Sequence, residues 1–251
     1  MHAKLIQQLH SRLCRHASET RKHWWENYVK GSAPFLGVKM GDIRTVVSKW
    51  HQQQVAHQLH PDQQLELALA LFEGEFTEHK LAGILLIGEI LRPRQVVKCP
   101  QDIPKLGSVF DRKWIYDWNV CDWFCVKILG PMIKTEGIAC AREIAAWREA
   151  PYLWKARAAL VPFVSVAADS RYYPLVAETA NILIGRPERF AKTAVGWVLR
   201  EISRHHPDWV RMFVEAHIEH FSAESLRNAT RHFAPENQQR MREWWTSTRH
   251  T

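Results

Sequence analysis

Apolar residues recur at intervals of three and four positions along most of the chain. This spacing places apolar side chains on one face of an α-helix. No long strand-like alternation appears, and the Asn-Gly and Asp-Gly pairs that mark tight hairpins are absent. The pattern therefore predicts helices over LIQQLHSRL (5–13), IRTVVSKW (43–50), LELALALF (65–72), CAREIAAW (140–147), YPLVAETANILI (173–184) and WVRMFVEAHI (209–218).

The prolines divide this helical pattern into short pieces. Twelve prolines are spaced widely along the chain, as connectors between short helices would be. Pro131 and Pro162 are the two that we expect to lie within a helical turn. The pair His205-His206, which Pro207 follows, indicates another connector at a helix end.

A loose internal repeat accompanies the helices. An apolar helix follows a short polar connector at six places, 29 to 46 residues apart, near Phe35, Leu81, Trp118, Trp154, Trp197 and Leu226. HEAT-type helical pairs repeat with a period of about 40 residues. We therefore expect an all-α fold of HEAT-like helical repeats, stacked as a curved α-solenoid with a concave basic groove. No linker or break in composition divides the chain, which predicts a single domain over residues 1–251.

Charge and aromatic content indicate the kind of partner. The chain has 34 Lys and Arg against 26 Asp and Glu, a formal net charge of +8. A basic protein favours anionic partners, of which nucleic acid is the commonest. The 12 tryptophans are several times the usual share, and tryptophan both packs cores and stacks on bases and sugars.

Other features bear on where the protein works. The longest apolar stretch, LAGILLIGEI (81–90), contains Glu89 and is too short to span a bilayer. The first residues, MHAKLIQQLHSRLCRHA, do not have the pattern of a signal peptide. Five cysteines, an odd number embedded in apolar patterns, are typical of reduced thiols. We therefore expect a cytoplasmic protein, associated with the nucleoid when it is bound to DNA.

Several enzyme classes have no local support. The chain contains no GxxxxGK[ST], GxGxxG, HExxH or GxSxG motif. Phosphate-loop ATPases, dinucleotide enzymes, zinc peptidases and nucleophile-elbow hydrolases all depend on one of these motifs. We predict neither a cofactor nor a metal site.

The segment DWNVCDWFC (117–125) concentrates aromatic rings, carboxylates and thiols. Cys121 and Cys125 lie one helical turn apart, but no CxxC or paired-histidine spacing supplies further zinc ligands, so buried thiols are the preferred interpretation. Trp118 and Asp122 are four residues apart, which puts their side chains roughly 40° apart on one helix face. The pair is either ordinary helix packing or a site in which a ring and a carboxylate face the same space.

Two later segments repeat the combination of ring and charge. YLWKARAALVPFVSVA (152–167) has Lys155 and Arg157 beside an apolar helix, either as a solvated basic edge or as a clamp for phosphate. AVGWVLREISRHHPDWV (194–210) has Trp197 and Arg200. If the repeats stack in register, these constellations and the Trp118–Asp122 pair would line one groove.

These segments resemble those of a known family. Successive segments of the chain look like the signature segments of the AlkD-like DNA alkylation repair glycosylases and occur in the same order. The match runs from about residue 20 to residue 233, and LRNATRHF (226–233) resembles the last repeat of the family. The segments that carry the resemblance are WENYVKGSAPFLGVKMGDIR (25–44), FTEHKLAGILLIGEI (76–90), WNVCDWFCVKILGPMI (118–133), LWKARAALVPF (153–163) and AVGWVLREISRHHPDWVRMFVEAH (194–217). The family's fold is a superhelix of HEAT-like repeats, which agrees with the pattern above.

The resemblance implies a role for individual residues. Trp118 and Asp122 match the catalytic tryptophan and aspartate, and Arg157 matches the arginine that contacts the backbone beside the lesion. The expected DNA-binding residues are two aromatic residues of the cleft and three basic residues that could meet phosphates, namely Tyr28, Trp197, Lys30, Arg200 and Arg227. Trp123 departs from the family pattern, because a bulky residue directly follows the aspartate.

The implied activity is that of a monofunctional glycosylase in base excision repair. It would hydrolyse the N-glycosidic bond of cationic N3- or N7-alkylated purines, such as 3-methyladenine or 7-methylguanine, in double-stranded DNA. The product is an abasic site, and the base does not enter a pocket. We expect a monomer. The alternatives are a non-catalytic helical-repeat module that binds nucleic acid or protein and a protein-interaction scaffold, but a carboxylate at position 122 facing an anionic backbone favours catalysis.

Overall fold

The computed structural model describes residues 2–248, and every regular element in that range is helical. The first seven α-helices are α1 (His2–Cys14), α2 (Glu19–Tyr28), α3 (Met40–Trp50), α4 (Pro61–Ala70), α5 (Thr77–Leu85), α6 (Ile103–Asp111) and α7 (Trp118–Phe124). The next seven are α8 (Gly130–Ala145), α9 (Leu153–Ala158), α10 (Tyr173–Gly185), α11 (Arg189–Ser203), α12 (Pro207–His217), α13 (Ala223–Ala229) and α14 (Pro235–Ser247). The predicted all-α fold class is confirmed.

Each helix predicted from apolar spacing is present. Three of the helices continue as π-helical turns, at His51–Val55, Leu86–Leu91 and Cys125–Leu129. The prolines act as expected, since Pro131 lies in the first turn of α8 and Pro162 in the first turn of a 3₁₀ segment. Proline is tolerated there because the first helical N–H groups have no partner within the helix. The connector at His205-His206 is also confirmed, between the end of α11 and the start of α12.

The chain folds as two compact units, Met1–Ile128 and Leu129–Thr251. The prediction of a single domain stays a prediction. Each unit has its own buried apolar core, and the two are described separately below.

The core of the first unit is built around α5, all of whose residues are buried. Helices α3, α4 and α7 pack against it. Phe124, on α7, contacts Phe72 and Phe110 edge-on, with ring centroids 5.6 and 5.4 Å apart. Cys121 and Cys125 are buried on the same helix. The interpretation of these thiols as packing residues is therefore confirmed. Because this side of α7 is packed into the core, only residues on its other side can face a ligand.

The core of the second unit is built around α11, which packs against α9, α10, α12 and α13. A Cβ atom added at Gly196 would lie 2.6 Å from the backbone oxygen of Ser225. Only glycine permits α11 and α13 to approach so closely. The close approach fixes α13, which carries Arg227, against the centre of this unit.

The five cysteines lie in different surroundings. All five are free thiols, but only Cys121, Cys125 and Cys140 are buried. Cys14 is exposed near the end of α1, because the apolar face of that helix is formed by Leu5, Leu9 and Leu13 instead.

Candidate active site

The start of α7 is fixed by Asp117. Its backbone is extended, and its carboxylate accepts a hydrogen bond from the amide of Val120 at 3.1 Å. A carboxylate at this position satisfies an amide that has no partner within the helix, and it interacts favourably with the helix dipole. Because Asp117 is almost fully buried, the first helical residue, Trp118, is held in a defined place.

Trp118 and Asp122 are both half-buried on α7, one helical turn apart. Their side chains therefore lie on the same side of the helix. Burial raises the pKa of Asp117, and the negative charge of Asp122 adds to that rise. The predicted arrangement, an indole and a carboxylate on one helix face, is present in the first unit.

Trp118 packs against a surface of aromatic and apolar side chains, the aromatic wall, which Trp25, Val29, Ala33 and Phe35 form. Val29, Ala33 and Phe35 form a buried cluster, and Trp25 and Trp118 pack against it. The α2 helix supplies Trp25, and the segment between α2 and α3 supplies Phe35. Their rings are nearly parallel, with centroids 5.9 Å apart. The wall limits the orientations that Trp118 can adopt.

Tyr28 extends this wall toward solvent. Its ring centroid lies 5.4 Å from that of Trp118, with an angle of 61° between the rings. Trp24, one turn earlier on α2, stacks on Tyr28 with ring centroids 5.4 Å apart and an angle of 6° between the rings. Trp24 and Tyr28 are 58% and 52% exposed, so both rings can meet a ligand. Sequence reasoning missed Trp24, although its i, i+4 spacing from Tyr28 is a signal that was available.

The loop that carries Phe35 is held by a buried carboxylate. Glu78, on α5, accepts hydrogen bonds from the amides of Leu36, Gly37 and Val38 at 2.8 to 3.0 Å. Gly37 has a φ of +82°, and a Cβ there would lie 2.2 Å from the oxygen of Ser18. The loop therefore depends on glycine at position 37 and on the charge of Glu78.

Lys80 is a buried cation near Asp117, the residue that caps the start of α7. Its ammonium group donates hydrogen bonds to the carbonyls of Phe72 at 2.8 Å and Gly74 at 2.6 Å. Burial lowers the pKa of Lys80 to about 8, and the charge of Asp117 partly opposes that change. A lysine with a lowered pKa was not expected from the sequence. Lys80 is only 2% exposed, and its ammonium group is directed at these two carbonyls.

Lys80 should make stability depend on pH. Between about pH 8 and about pH 10.5 the unfolded chain keeps a proton on this lysine that the folded chain has released. The free energy of unfolding of the wild type should therefore rise through this window relative to that of Lys80→Met. Urea unfolding of both proteins at about pH 7.5 and about pH 9.5 measures the change. A difference that stays constant with pH would contradict the lowered pKa.

Trp123 lies on a different side of α7 from Trp118. It lines a cavity of about 70 Å³ together with Trp25, Phe35 and Asn119. The ammonium of Lys127 lies 5.5 Å from the centre of the Trp123 ring. The residue that departs from the family pattern therefore borders the space behind the aromatic wall.

In the second unit, Arg157 is not a solvated basic residue. It is 4% exposed, and its Nη1 donates to the carbonyl of Phe190 at 2.6 Å and to the hydroxyl of Thr193 at 3.2 Å. The alternative of a solvated edge is wrong for Arg157, because these bonds draw the side chain into the contact between α9 and α11. Lys155 is half-buried, with its ammonium 5.6 Å from the centre of the Trp147 ring.

Arg157 contacts the face of α11 that carries Trp197. Thr193, Trp197 and Arg200 follow one another at four and three residues, so they lie on one side of this helix. Trp197 is half-buried. Arg200 binds the adjacent Glu201 at 2.8 Å, so its charge is already partly compensated.

The other two expected basic residues are exposed. Lys30 follows the end of α2 with a φ of +55°, and Arg227 lies in the last turn of α13 in the second unit. Within residues 2–248, no three His, Cys, Asp or Glu side chains are grouped so that they could hold a metal ion. No described helix has both the length and the apolar character that crossing a membrane requires.

Comparison with known proteins identifies the family. The model of the DNA alkylation repair enzyme family matches residues 9–233, and the chain belongs to this family. The resemblance seen in the signature segments is thereby confirmed, and the helical architecture is consistent with the helical-repeat solenoid fold of the family.

A solved structure is similar over nearly its whole length. It is described as a predicted DNA alkylation repair enzyme from Enterococcus faecalis, with a TM-score of 0.75 and 17% sequence identity. The similarity covers 88% of this chain and 98% of that one. At this identity the likeness supports the fold. No curated protein matches the chain.

Proposed function

We propose that this protein is a monofunctional DNA glycosylase for cationic alkylated purines. It hydrolyses the N-glycosidic bond of N3- or N7-alkylated purines in duplex DNA and leaves an abasic site. The observation that carries the proposal is the pairing of Trp118 with Asp122 on one face of a capped helix, beside an exposed aromatic surface. Membership of the DNA alkylation repair enzyme family supports duplex DNA as the substrate.

One carboxylate is enough for this reaction. Glycoside hydrolysis generally uses a second carboxylic acid to protonate the departing oxygen. A purine alkylated at N3 or N7 already carries a positive charge, so the electron pair of the breaking C1′–N bond neutralises the base as it leaves. Water adds to C1′ and loses a proton. Asp122 stabilises the positive charge that develops on the sugar and accepts or directs that proton.

Trp118 acts on the same charge through its ring. The face of an indole attracts a nearby cation by about 0.5–2 kcal/mol, more strongly where water is excluded. The contacts of Trp118 with Tyr28 and with the buried cluster of Val29, Ala33 and Phe35 hold the ring in place before the substrate arrives. No reorganisation of the indole is then needed as the charge forms.

We assign the second unit a role in holding the DNA backbone. The family resemblance implies that Arg157 contacts a phosphate of the DNA backbone. The bonds from its Nη1 to Phe190 and Thr193 fix the plane of the guanidinium, and a pre-oriented guanidinium loses less entropy when it binds phosphate. Trp197, on the same face of α11, contributes an aromatic contact with the nucleotide.

The charge of the damaged base should determine the rate at which it is released. We expect efficient release of 7-methylguanine and 3-methyladenine, and release of uracil and hypoxanthine at least about a thousandfold slower, because a neutral base is a poor leaving group without a general acid. Single-turnover assays on duplexes that differ only in the lesion measure these rates. Efficient release of either neutral base would refute the mechanism.

A further inference from the structure

Helix α14 lies beyond the part of the chain that the family model matches, which ends at residue 233. The helix is nevertheless docked on the second unit. Met241 is fully buried, and the indole N–H of Trp245 donates to the carbonyl of Phe221 at 2.8 Å. The side-chain amide of Gln238 donates to the carbonyl of Phe233 at 2.9 Å. These contacts give α14 a defined position against the segments that flank α13.

Helices α13 and α14 line an open cavity of about 450 Å³. Its polar and aromatic lining residues are Arg227, Thr230, Gln238, Arg242, Trp245 and Thr246. Guanidinium, amide and hydroxyl groups are the donors that bind phosphate oxygens. The cavity therefore combines two strong cationic donors with several neutral polar groups, and no carboxylate is among the described residues that line it.

The two guanidiniums of the cavity differ from the arginines around them in their ion pairing. Arg227 and Arg242 are exposed, and neither forms an ion pair with any residue in the described range 2–248. Nearby arginines do form such pairs. Arg240, on α14, lies 3.6 Å from Glu215, and Arg189 binds Glu224, the acidic residue of α13, through two bonds of 2.8 and 2.9 Å. Within residues 2–248, no carboxylate competes with an anion for Arg227 and Arg242.

We propose that this cavity binds a phosphate group of the DNA backbone. The two guanidiniums contact the non-bridging oxygens, and the ring of Trp245 forms the wall behind them. The proposal rests on duplex DNA being the substrate, and it adds to the proposed function a backbone contact supplied by α14. A guanidinium binds phosphate in a planar, two-pronged geometry, so lysine does not replace it fully.

Affinity for a duplex without a lesion tests this site independently of catalysis. Arg242→Ala should weaken binding about five- to twentyfold at moderate salt, and the slope of log K against log salt should fall by about 0.9, the value for one phosphate contact. Arg240→Ala is the matched control on the same helix, because Arg240 is already paired with Glu215. Urea unfolding shows whether each variant remains folded, and Arg227→Gln provides a second test on α13.

Each outcome bears on the proposal. If the Arg242 and Arg240 variants bind duplex DNA equally well and with equal salt dependence, the site is not a backbone contact. If Arg242→Ala weakens binding of a 5′-mononucleotide but leaves duplex affinity unchanged, the cavity takes a free phosphate and the proposal also fails. If the wild type releases no base, yet Arg242→Ala weakens duplex binding, the glycosylase fails and the phosphate site stands.

Discussion

Asp122→Asn should lower the single-turnover rate of 7-methylguanine release by about a thousandfold or more, a loss of about 4 kcal/mol in transition-state stabilisation. The side chain keeps its size, but it no longer carries the charge that stabilises the sugar cation. Affinity for the duplex should be unchanged or higher, because the variant removes a negative charge that faces phosphates. Base release and DNA binding are measured on the same duplex.

A matched control separates this effect from a general change in charge. Asp111, exposed in the last turn of α6, lies in the same unit and outside the aromatic wall. Asp111→Asn should release base at the rate of the wild type. An Asp122 variant as active as the wild type would remove the carboxylate from the mechanism. Binding without base release by either protein would favour a non-catalytic helical-repeat module.

Glu78→Gln should lower the free energy of unfolding by about 2–4 kcal/mol, more than any other substitution proposed above. The carboxylate of Glu78 is buried and accepts three backbone hydrogen bonds. Glutamine has the same shape but only one acceptor oxygen, and its NH₂ group would face an amide N–H that also needs an acceptor. Thermal or urea unfolding measures the loss.

The same substitution should also reduce base release. The loop that Glu78 holds carries Phe35, against which Trp25 and Trp118 pack. If the loop loosens, Trp118 loses part of the wall that orients it. Glu73→Gln is the control, because Glu73 is exposed at the end of a 3₁₀ segment, Leu71–Glu73, that precedes α5. A Glu78 variant with wild-type stability and activity would show that the three hydrogen bonds contribute little.

The helices were predictable because their signal is local. Three- and four-residue spacing follows directly from helix geometry, and YPLVAETANILI (173–184) became α10 as that spacing requires. The pairing of Trp118 with Asp122 was predictable for the same reason, since residues four apart lie on one helix face. Neither inference needed knowledge of what packs against the helix.

Other features depend on segments far apart in the chain. Glu78 binds a loop about 40 residues earlier, and Arg157 is buried against α11, more than 30 residues later. An arginine in an amphipathic segment has the same sequence pattern whether it faces water or is buried with partners. Whether Arg157 is buried or exposed therefore depends on tertiary packing, which the apolar spacing of its own segment does not show.

The role of Asp117 lies between these two cases. An aspartate directly before a helix is a recognised capping signal, and DWNVCDWFC contains it. Sequence reasoning concentrated on the second aspartate of that segment and overlooked the first. The structure gives the two carboxylates different settings, because Asp117 is buried at the helix start and Asp122 is half-buried one turn further on.

The most direct measurement identifies which bond the wild type breaks. Alkylation repair can proceed by cleaving the bond between base and sugar or by removing the alkyl group from the base. Duplex DNA with one 7-methylguanine, incubated with the protein, is analysed by mass spectrometry for free base and for the remaining strand. We predict free 7-methylguanine and an intact strand with an abasic site that breaks only in alkali. Restored guanine within the strand, or unchanged 7-methylguanine, would contradict the glycosylase.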